Sequence, residues 1–188
     1  GTERGGDLGS GAAAVRRLRA VVLLVAAVYV EQRVAKPADQ DEDAWRKPAE
    51  VLNVLDARPG MKVIDYFAGG GYYTELLARI VGPEGQVIAY NNESYAKYAA
   101  DKPAKRYGNE RLPNVAQLTA APEDLPLEPA SIDAALFVQS YHHLHWVSKD
   151  GSWPATDPKA AGQQVLDLAR VWSGTTESLA GRRVLRIN

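Results

Sequence analysis

The sequence predicts an α/β fold built on a largely parallel sheet. Residues 63–67 are mostly apolar and rich in strand formers, three glycines follow at 69–71, and residues 72–80 repeat apolar side chains at helical spacing. This order indicates a strand, a glycine loop and a helix. Residues 131–138 form a second, almost wholly apolar run. A strand that is apolar on both faces is typical of a parallel sheet.

Length and composition limit the classes of protein. The chain has 188 residues, which is enough for one domain with a hydrophobic core. Its formal net charge is −1, so no overall field would attract nucleic acid or a membrane surface. The chain contains no cysteine, which excludes disulfides, thiolate metal sites and cysteine nucleophiles.

Residues 1–42 are predicted to precede the folded domain, which would span residues 43–188. Residues 1–15 are glycine-rich and predicted to be disordered, and residues 31–42 are polar and read as a linker. Three arginines at 16, 17 and 19 precede an apolar run at 20–30, which is shorter than the ~20 residues that span a bilayer. This pattern is typical of a secretory signal or anchor, so we expect export or membrane contact through residues 16–30. The alternative is a soluble helix in a cytoplasmic protein.

The glycine loop predicts a ligand site. Glycine lets a ligand lie against bare backbone, and the following helix offers unpaired N–H groups that suit a carboxylate or phosphate. Nicotinamide-binding loops have a third glycine where this chain has Thr74. Asp65, four residues before Gly69, can hold an ammonium, while the glycine loop can take a carboxylate. Together they suit the zwitterionic methionine end of S-adenosylmethionine. The alternative is a turn that binds nothing.

Residues 58–75, which include the lead-in Arg-Pro-Gly-Met, resemble motif I of the class I S-adenosylmethionine-dependent methyltransferases. That family usually has glycine at the position of Phe67. The resemblance implies a Rossmann-like sheet, S-adenosylmethionine as cofactor, and transfer of its methyl group to an acceptor. The cofactor contacts implied at this motif are Asp65, Phe67, Ala68, Gly69, Gly70 and Gly71.

The segment before motif I also has a parallel in this family. Residues 43–48 resemble a segment of a group of bacterial methyltransferases, many of them exported, in which it forms a lid over the cofactor cleft. Asp43 is a candidate cap for a helix over residues 44–55, and Pro48 would bend or restart that helix. The alternative is an ordinary packing helix.

The second strand is predicted over residues 86–90 and ends at two asparagines. In the resembled family an acid at this position takes both ribose hydroxyls, whereas this chain has Asn91, followed by Asn92. An amide can hydrogen-bond a hydroxyl but lacks the strengthening charge, so we expect weaker cofactor binding. The alternative for both residues is turn chemistry. A helix is predicted over residues 93–106.

The third strand, predicted over residues 114–118, leads into a loop where related enzymes often place an aspartate on the adenine amino group. Counting back from the Leu-Pro pair at 125–126 puts Ala121 at this position. Backbone groups or Glu123 are the candidate substitutes. The alternative for Glu123 is a charge that simply faces solvent.

All three histidines of the chain follow the fourth predicted strand. The carboxyl ends of parallel strands face the ligand crevice, and residues 139–146 resemble motif IV of the same methyltransferases. A histidine titrates near neutral pH and can accept a proton from the methyl acceptor. The candidates from this stretch are Gln139 for cofactor contact and Tyr141, His142 and His143 for catalysis.

Two other readings of the histidines stay open. A metal could bind His142 and His145, which are three residues apart, but no third ligand has the spacing of a known motif, so no metal site is predicted. The histidines could also hydrogen-bond the loop together.

The resemblance covers about residues 43–170, with a helix predicted over 159–172. The family continues with a fifth, sixth and seventh strand, and residues 184–187 are a candidate fifth strand. We therefore expect a truncated or frameshifted product whose sheet lacks its last strands.

Three functions follow, and the first is favoured. It is methyl transfer from S-adenosylmethionine to an unidentified acceptor, which we expect to be a small molecule. The second is a non-catalytic remnant of the fold that binds nucleosides weakly. The third is a nicotinamide oxidoreductase, which Thr74 and Asp65 disfavour.

Overall fold

The structure is a computed structural model that describes residues 37–108, 110–169 and 184–187. The predicted signal or anchor over residues 16–30 and the glycine-rich start lie outside the described residues. Within the three described stretches, no helix combines the length and apolar character that crossing a bilayer requires.

Helices and strands alternate along the described chain. The helices are α1 (Pro37–Arg46), α2 (Pro48–Leu55), α3 (Tyr72–Val81), α4 (Glu93–Ala99), α5 (Lys102–Tyr107) and α6 (Pro158–Leu168). The strands are β1 (Lys62–Tyr66), β2 (Gln86–Asn91), β3 (Val115–Thr119), β4 (Ala134–Val138) and β5 (Val184–Ile187). A short 3-10 helix over Tyr141–His145 follows β4.

The five strands form one sheet in the order β3-β2-β1-β4-β5, and every neighbouring pair is parallel. The predicted parallel α/β fold is confirmed, as is the fifth strand at residues 184–187. The chain runs outward from β1 to β3 on one side and continues at β4 on the other. This reversal between β1 and β4 is the place where open α/β sheets bind ligands, at the carboxyl ends of the strands.

The core has two parts, one on each face of the sheet. Successive strand residues point to opposite faces, so Val63 packs in the cluster with α2 and α3, and Ile64 packs in the cluster with α6. Asp65 follows the same alternation and lies on the α3 side, within reach of Thr74. The sheet therefore carries this carboxyl into a buried position beside the glycine loop.

The start of the domain differs from the prediction. Residues 37–42 belong to α1, so they are not a linker, and Asp43 lies inside α1 and does not cap it. The predicted restart at Pro48 is confirmed, because α2 begins there. A residue before proline is driven out of the right-handed helical region, and Lys47 has a φ of 45°.

The predicted helix over residues 93–106 is two helices. α4 ends at Ala99, Ala100 has a φ of 50°, and α5 begins at Lys102 with Pro103 in its first turn. Proline lacks a backbone N–H and is tolerated only in the first turn of a helix, so the chain breaks before it. The last predicted helix ends at Leu168, because Ala169 is extended and pairs with Ile132. Residues 170–172 of that prediction lie outside the described residues.

Candidate functional site

The glycine loop joins the carboxyl end of β1 to the start of α3, as the sequence predicts. Gly69 and Gly71 have φ values of 56° and 81°, which L-residues rarely adopt. A Cβ atom on Gly71 would lie 2.4 Å from Cε1 of Tyr107. The third glycine therefore serves close packing against α5. Gly69 and Gly70 are the two glycines of this loop that line a cavity.

This loop opens onto a cavity of about 450 Å³, which we call the glycine-loop cavity. Its walls come from β1, the glycine loop, α1, α3, α4, α5 and the end of β4. The residues that line it are Asp39, Glu42, Arg46, Asp65, Phe67, Ala68, Gly69, Gly70, Tyr72, Tyr73, Tyr95, Tyr98, Ala99, Lys102, Arg106 and Val138. The segment predicted to lie over the cofactor cleft thus borders this cavity.

Asp65 is a buried carboxyl on the wall of the glycine-loop cavity. Its Oδ2 accepts a hydrogen bond of 2.6 Å from Oγ1 of Thr74, which is fully buried. Burial raises the pKa of Asp65 to about 6, although the hydrogen bonds from Thr74 and the charge of Arg46 oppose this rise. The group is therefore ionised at neutral pH and can receive an ammonium. In the sequence, Thr74 only disfavours a nicotinamide-binding loop. Its role as the hydrogen-bond partner of Asp65 was not predicted.

Phe67 occupies the position that the resembled family gives to glycine. Its φ is 59°, a left-handed conformation that costs a bulky residue energy, which explains the preference for glycine there. Its ring is buried against those of Tyr66, at 5.1 Å, Tyr90, at 5.6 Å, and Tyr95, at 5.8 Å between centroids. This aromatic packing holds the strained residue in place.

The two asparagines after β2 have partners within the protein. Oδ1 of Asn91 accepts a hydrogen bond of 2.9 Å from the Gly69 N–H, and its Nδ2 donates to the Gly69 carbonyl at 3.5 Å. Oδ1 of Asn92 accepts from the Tyr95 N–H at 2.8 Å and caps α4. Asn91 thus holds the glycine loop, and its predicted ribose contact stays a prediction.

His143 is the histidine that the fold brings to the site. It is half-buried, and its ring centroid lies 5.0 Å from that of Trp153, 5.3 Å from Tyr95 and 5.8 Å from Phe67. Burial, and next the charge of nearby His142, lower the pKa of His143, so its ring is neutral at neutral pH.

Four other candidates stand apart from the glycine-loop cavity. His142, Gln139 and Glu123 are exposed, and Tyr141 packs against Phe137 and His145. None of the four is among the residues that line the cavity.

A second cavity, of about 510 Å³, lies beside the first and shares Tyr95 and Tyr98 with it. We call it the aromatic cavity, because the remaining wall includes His143, Trp146 and Trp153. The indole Nε1 of Trp153 donates to the carbonyl of His143 at 3.1 Å, which fixes the loop after the 3-10 helix against the site.

Arg106 on α5 connects α1, α3 and the glycine loop, and no sequence pattern indicated it. Its guanidinium donates to both carboxylate oxygens of Asp39, at 2.8 and 3.0 Å, and to Glu75 at 3.1 Å. Its Nε donates to the carbonyl of Gly70 at 3.0 Å. Both carboxylates are buried, so Arg106 fixes the helix that borders the cavity to the loop that forms its base.

Among residues 37–108, 110–169 and 184–187, no three histidine, aspartate or glutamate side chains converge as a metal ion would need.

Ser140 is a further residue that sequence reasoning missed. Its buried hydroxyl donates to the carbonyl of Tyr66 at 3.1 Å and joins the ends of β4 and β1.

Comparison with known proteins agrees with this geometry. Residues 64–154 match the family model described as a methyltransferase domain. A protein-L-isoaspartate O-methyltransferase of Methanopyrus kandleri is 31% identical over 87 residues, which are 46% of this chain and 38% of that protein. The chain thus spans well under half the length of this relative.

Solved structures share the fold. A SAM-dependent methyltransferase from Aquifex aeolicus superposes with a TM-score of 0.57 at 22% identity, over 72% of this chain and 63% of that one. A Haloferax volcanii methyltransferase in complex with the Trm112 activator gives a TM-score of 0.52 at 17% identity, over 71% and 51% of the two chains. Residues 64–154, from β1 to the loop after the 3-10 helix, therefore resemble a methyltransferase domain, and the chain shares its fold with a solved SAM-dependent methyltransferase.

Proposed function

We propose that the protein transfers a methyl group from S-adenosylmethionine to a small-molecule acceptor. The observation that carries this proposal is the glycine-loop cavity, where the bare backbone of Gly69 and Gly70 lies beside the buried carboxyl of Asp65. When bound, this cofactor supplies a methyl group on a reactive sulfonium. The residues of the chain then have to bind and orient the reactants.

The residues of the cavity fit the two charges of the methionine end. We assign the ammonium to Asp65, whose carboxyl is ionised at neutral pH. We assign the carboxylate to Arg46 and Lys102, which line the same cavity.

We assign to His143 the role of general base. It would take the proton from a methyl acceptor that must lose one. Of the three catalytic candidates, it is the one whose ring contacts Phe67, a wall residue of the glycine-loop cavity. Its lowered pKa keeps the ring neutral at neutral pH, as a base must be. His143 also lines the aromatic cavity, whereas His142 and Tyr141 line neither cavity, which supports this choice.

The second candidate function is a non-catalytic module that binds nucleosides weakly. It is supported by the amide of Asn91, which is engaged with Gly69, where an acid is expected to take the ribose hydroxyls. A nicotinamide oxidoreductase is disfavoured, because Thr74 serves as the hydrogen-bond partner of Asp65.

Calorimetric titration of the full chain with S-adenosylmethionine and, separately, S-adenosylhomocysteine tests the proposal. We expect micromolar binding that is lost in Gly70→Val. A Cβ at Gly70 meets only the Lys102 side chain, with Cδ at 3.2 Å, so the variant can fold while a branched side chain enters the cavity. Gly162→Val is the matched control, because the space around Gly162 on α6 is open.

Each result separates the functions. Absence of binding by a folded wild-type chain refutes cofactor use. Weak binding of both ligands without turnover favours the nucleoside-binding module, whereas tight binding favours the enzyme. Enhanced NADH fluorescence on mixing, without binding of S-adenosylhomocysteine, favours the oxidoreductase.

We further propose that residues 16–30 direct the protein to a membrane or out of the cytoplasm. The support is the sequence pattern of three arginines before an apolar run of eleven residues. Cell fractionation of the full chain and of a variant without residues 16–30 tests this, and identical distributions would refute it.

A further inference from the structure

The aromatic cavity is large enough for a small molecule of its own. Its volume of about 510 Å³ falls within the ~300–1,000 Å³ typical of ligand sites. It lies between α4 and the loop that follows the 3-10 helix. The residues of its wall that decide its chemistry are Tyr95, Lys97, Tyr98, His143, Trp146 and Trp153.

The inner wall of the aromatic cavity is built of fixed rings. Trp153 is buried and hydrogen-bonded through its indole N–H to the backbone of His143. The Trp153 and Tyr95 rings meet edge to face, 5.8 Å apart at 68°, and the Trp153 and Trp146 rings lie 5.7 Å apart at 61°. Rings at such angles present both faces and edges, which is the arrangement that a further flat ring packs against.

The mouth of the aromatic cavity exposes more aromatic surface. Tyr98 on α4 is 73% exposed and Trp146 on the facing loop is 50% exposed. A ligand seated between them would remove apolar surface of both side chains from water, which is favourable. Large exposed apolar surface concentrated at one opening marks a binding site more often than a chance arrangement.

The charges and polar groups of the wall limit the ligand further. Lys97 is the one charged residue among the described residues of this wall, and no carboxylate lines it, so a cationic ligand would find the like charge of Lys97 and no ion-pair partner there. The wall offers few other polar groups to a ligand, because the hydroxyl of Ser94 already donates to the carbonyl of Ser152. A sugar or a polar peptide would leave its own groups unpaired in this cavity.

We propose that the aromatic cavity is the acceptor site and selects a planar aromatic ring that carries a hydroxyl group. This inference rests on the proposed function. The cavity shares Tyr95 and Tyr98 with the glycine-loop cavity, so the two ligands would lie side by side. His143 lines the aromatic cavity and contacts Phe67 of the other, which places the proton acceptor between them.

Calorimetry with 2-naphthol and its saturated analogue decahydro-2-naphthol tests the inference on the full chain in saturating S-adenosylhomocysteine. The two alcohols match in carbon skeleton, but only the first has flat rings. We expect 2-naphthol to bind at least roughly threefold more tightly, as aromatic pairs add to simple burial. Trp146→Ala should weaken 2-naphthol binding by roughly 3- to 10-fold without changing the affinity for S-adenosylhomocysteine.

Val54→Ala is the control, because Val54 is 64% exposed on α2 and lines neither cavity. It should leave 2-naphthol binding unchanged. Equal binding of the two alcohols, or no effect of Trp146→Ala, would overturn the inference. So would loss of 2-naphthol binding on saturation with S-adenosylhomocysteine, since the cavity would then hold the adenine ring.

The failure of the proposed function has a different signature. A chain that binds S-adenosylhomocysteine but not 2-naphthol overturns the acceptor class alone. A folded chain that binds 2-naphthol but not S-adenosylhomocysteine overturns methyl transfer and with it the acceptor role.

Discussion

Replacing Asp65 by asparagine should stabilise the ligand-free protein at neutral pH and weaken its binding of S-adenosylmethionine. The carboxyl is buried on the wall of the glycine-loop cavity, where ionisation is unfavourable until a cation arrives. Asparagine has nearly the same shape, does not ionise, and keeps an oxygen that can accept the hydroxyl of Thr74. The substitution therefore separates the charge of residue 65 from its packing.

The size of the stabilisation follows from the pKa of Asp65, which burial raises from 3.8 to about 6. The folded state then holds the proton more tightly than the unfolded state, so stability present below pH 3.8 is lost as the pH rises through 6. One pKa unit corresponds to about 1.36 kcal/mol. The ionised carboxyl accordingly costs about 1 kcal/mol at pH 4.5 and about 3 kcal/mol at pH 8.

Urea denaturation followed by tryptophan fluorescence at pH 4.5 and pH 8 measures this difference. We expect the advantage of Asp65→Asn over wild type to grow by about 2 kcal/mol between the two values. Asp167→Asn, at an exposed position on α6, is the control whose effect should not grow. An Asp65→Asn advantage that is equal at both pH values, or a less stable variant at pH 8, would refute the reasoning.

Calorimetry of Asp65→Asn should show at least roughly tenfold weaker binding of S-adenosylmethionine, because the ammonium loses a charged partner.

Substitutions at three further positions test the supports of the glycine loop by urea denaturation. Arg106→Ala should destabilise the fold by about 3 kcal/mol, since it removes a buried guanidinium that donates to Asp39, Glu75 and the Gly70 carbonyl; a loss below about 1 kcal/mol would contradict the role given to this arginine. Asn91→Ala leaves the Gly69 N–H without its acceptor and should cost about 1–3 kcal/mol, whereas Asn91→Asp should retain most of that stability; equal losses would argue against the hydrogen bond. Phe67→Gly should cost about 2–4 kcal/mol, because the lost ring outweighs the relief of a left-handed backbone, and a more stable variant would show that the strain dominates.

Local features of this protein were predictable because their causes lie within a few residues. The apolar run of β1, the glycines at 69–71 and the helical spacing of α3 follow one another directly, so strand, loop and helix could be read in order. Proline at 48 restarted a helix as expected, for a steric reason that involves only its neighbour. Pro103 likewise marks the start of a helix, α5. The break between α4 and α5 was not predicted, although this proline indicates it.

Contacts between distant segments could not be read from spacing. The family resemblance predicts a ribose contact for Asn91, but only the parallel register of β1 and β2 shows that its amide also meets Gly69. Arg106 meets Asp39 and Glu75 only because α5, α1 and α3 converge at the glycine loop. No pattern within α5 indicates such partners.

By itself, the sequence determined the parallel α/β fold, the order of strand, glycine loop and helix, and the histidine stretch at the end of β4. These depend on side-chain periodicity, backbone freedom and strand order, which follow from residues that are close together in the sequence. The tertiary structure alone decided that His143 reaches the site while His142 faces solvent, and that Tyr95 separates a polar cavity from an aromatic one. Orientation and burial depend on how α4, the 3-10 helix and the following loop pack together, and the energy of that packing is shared among residues that the sequence keeps far apart.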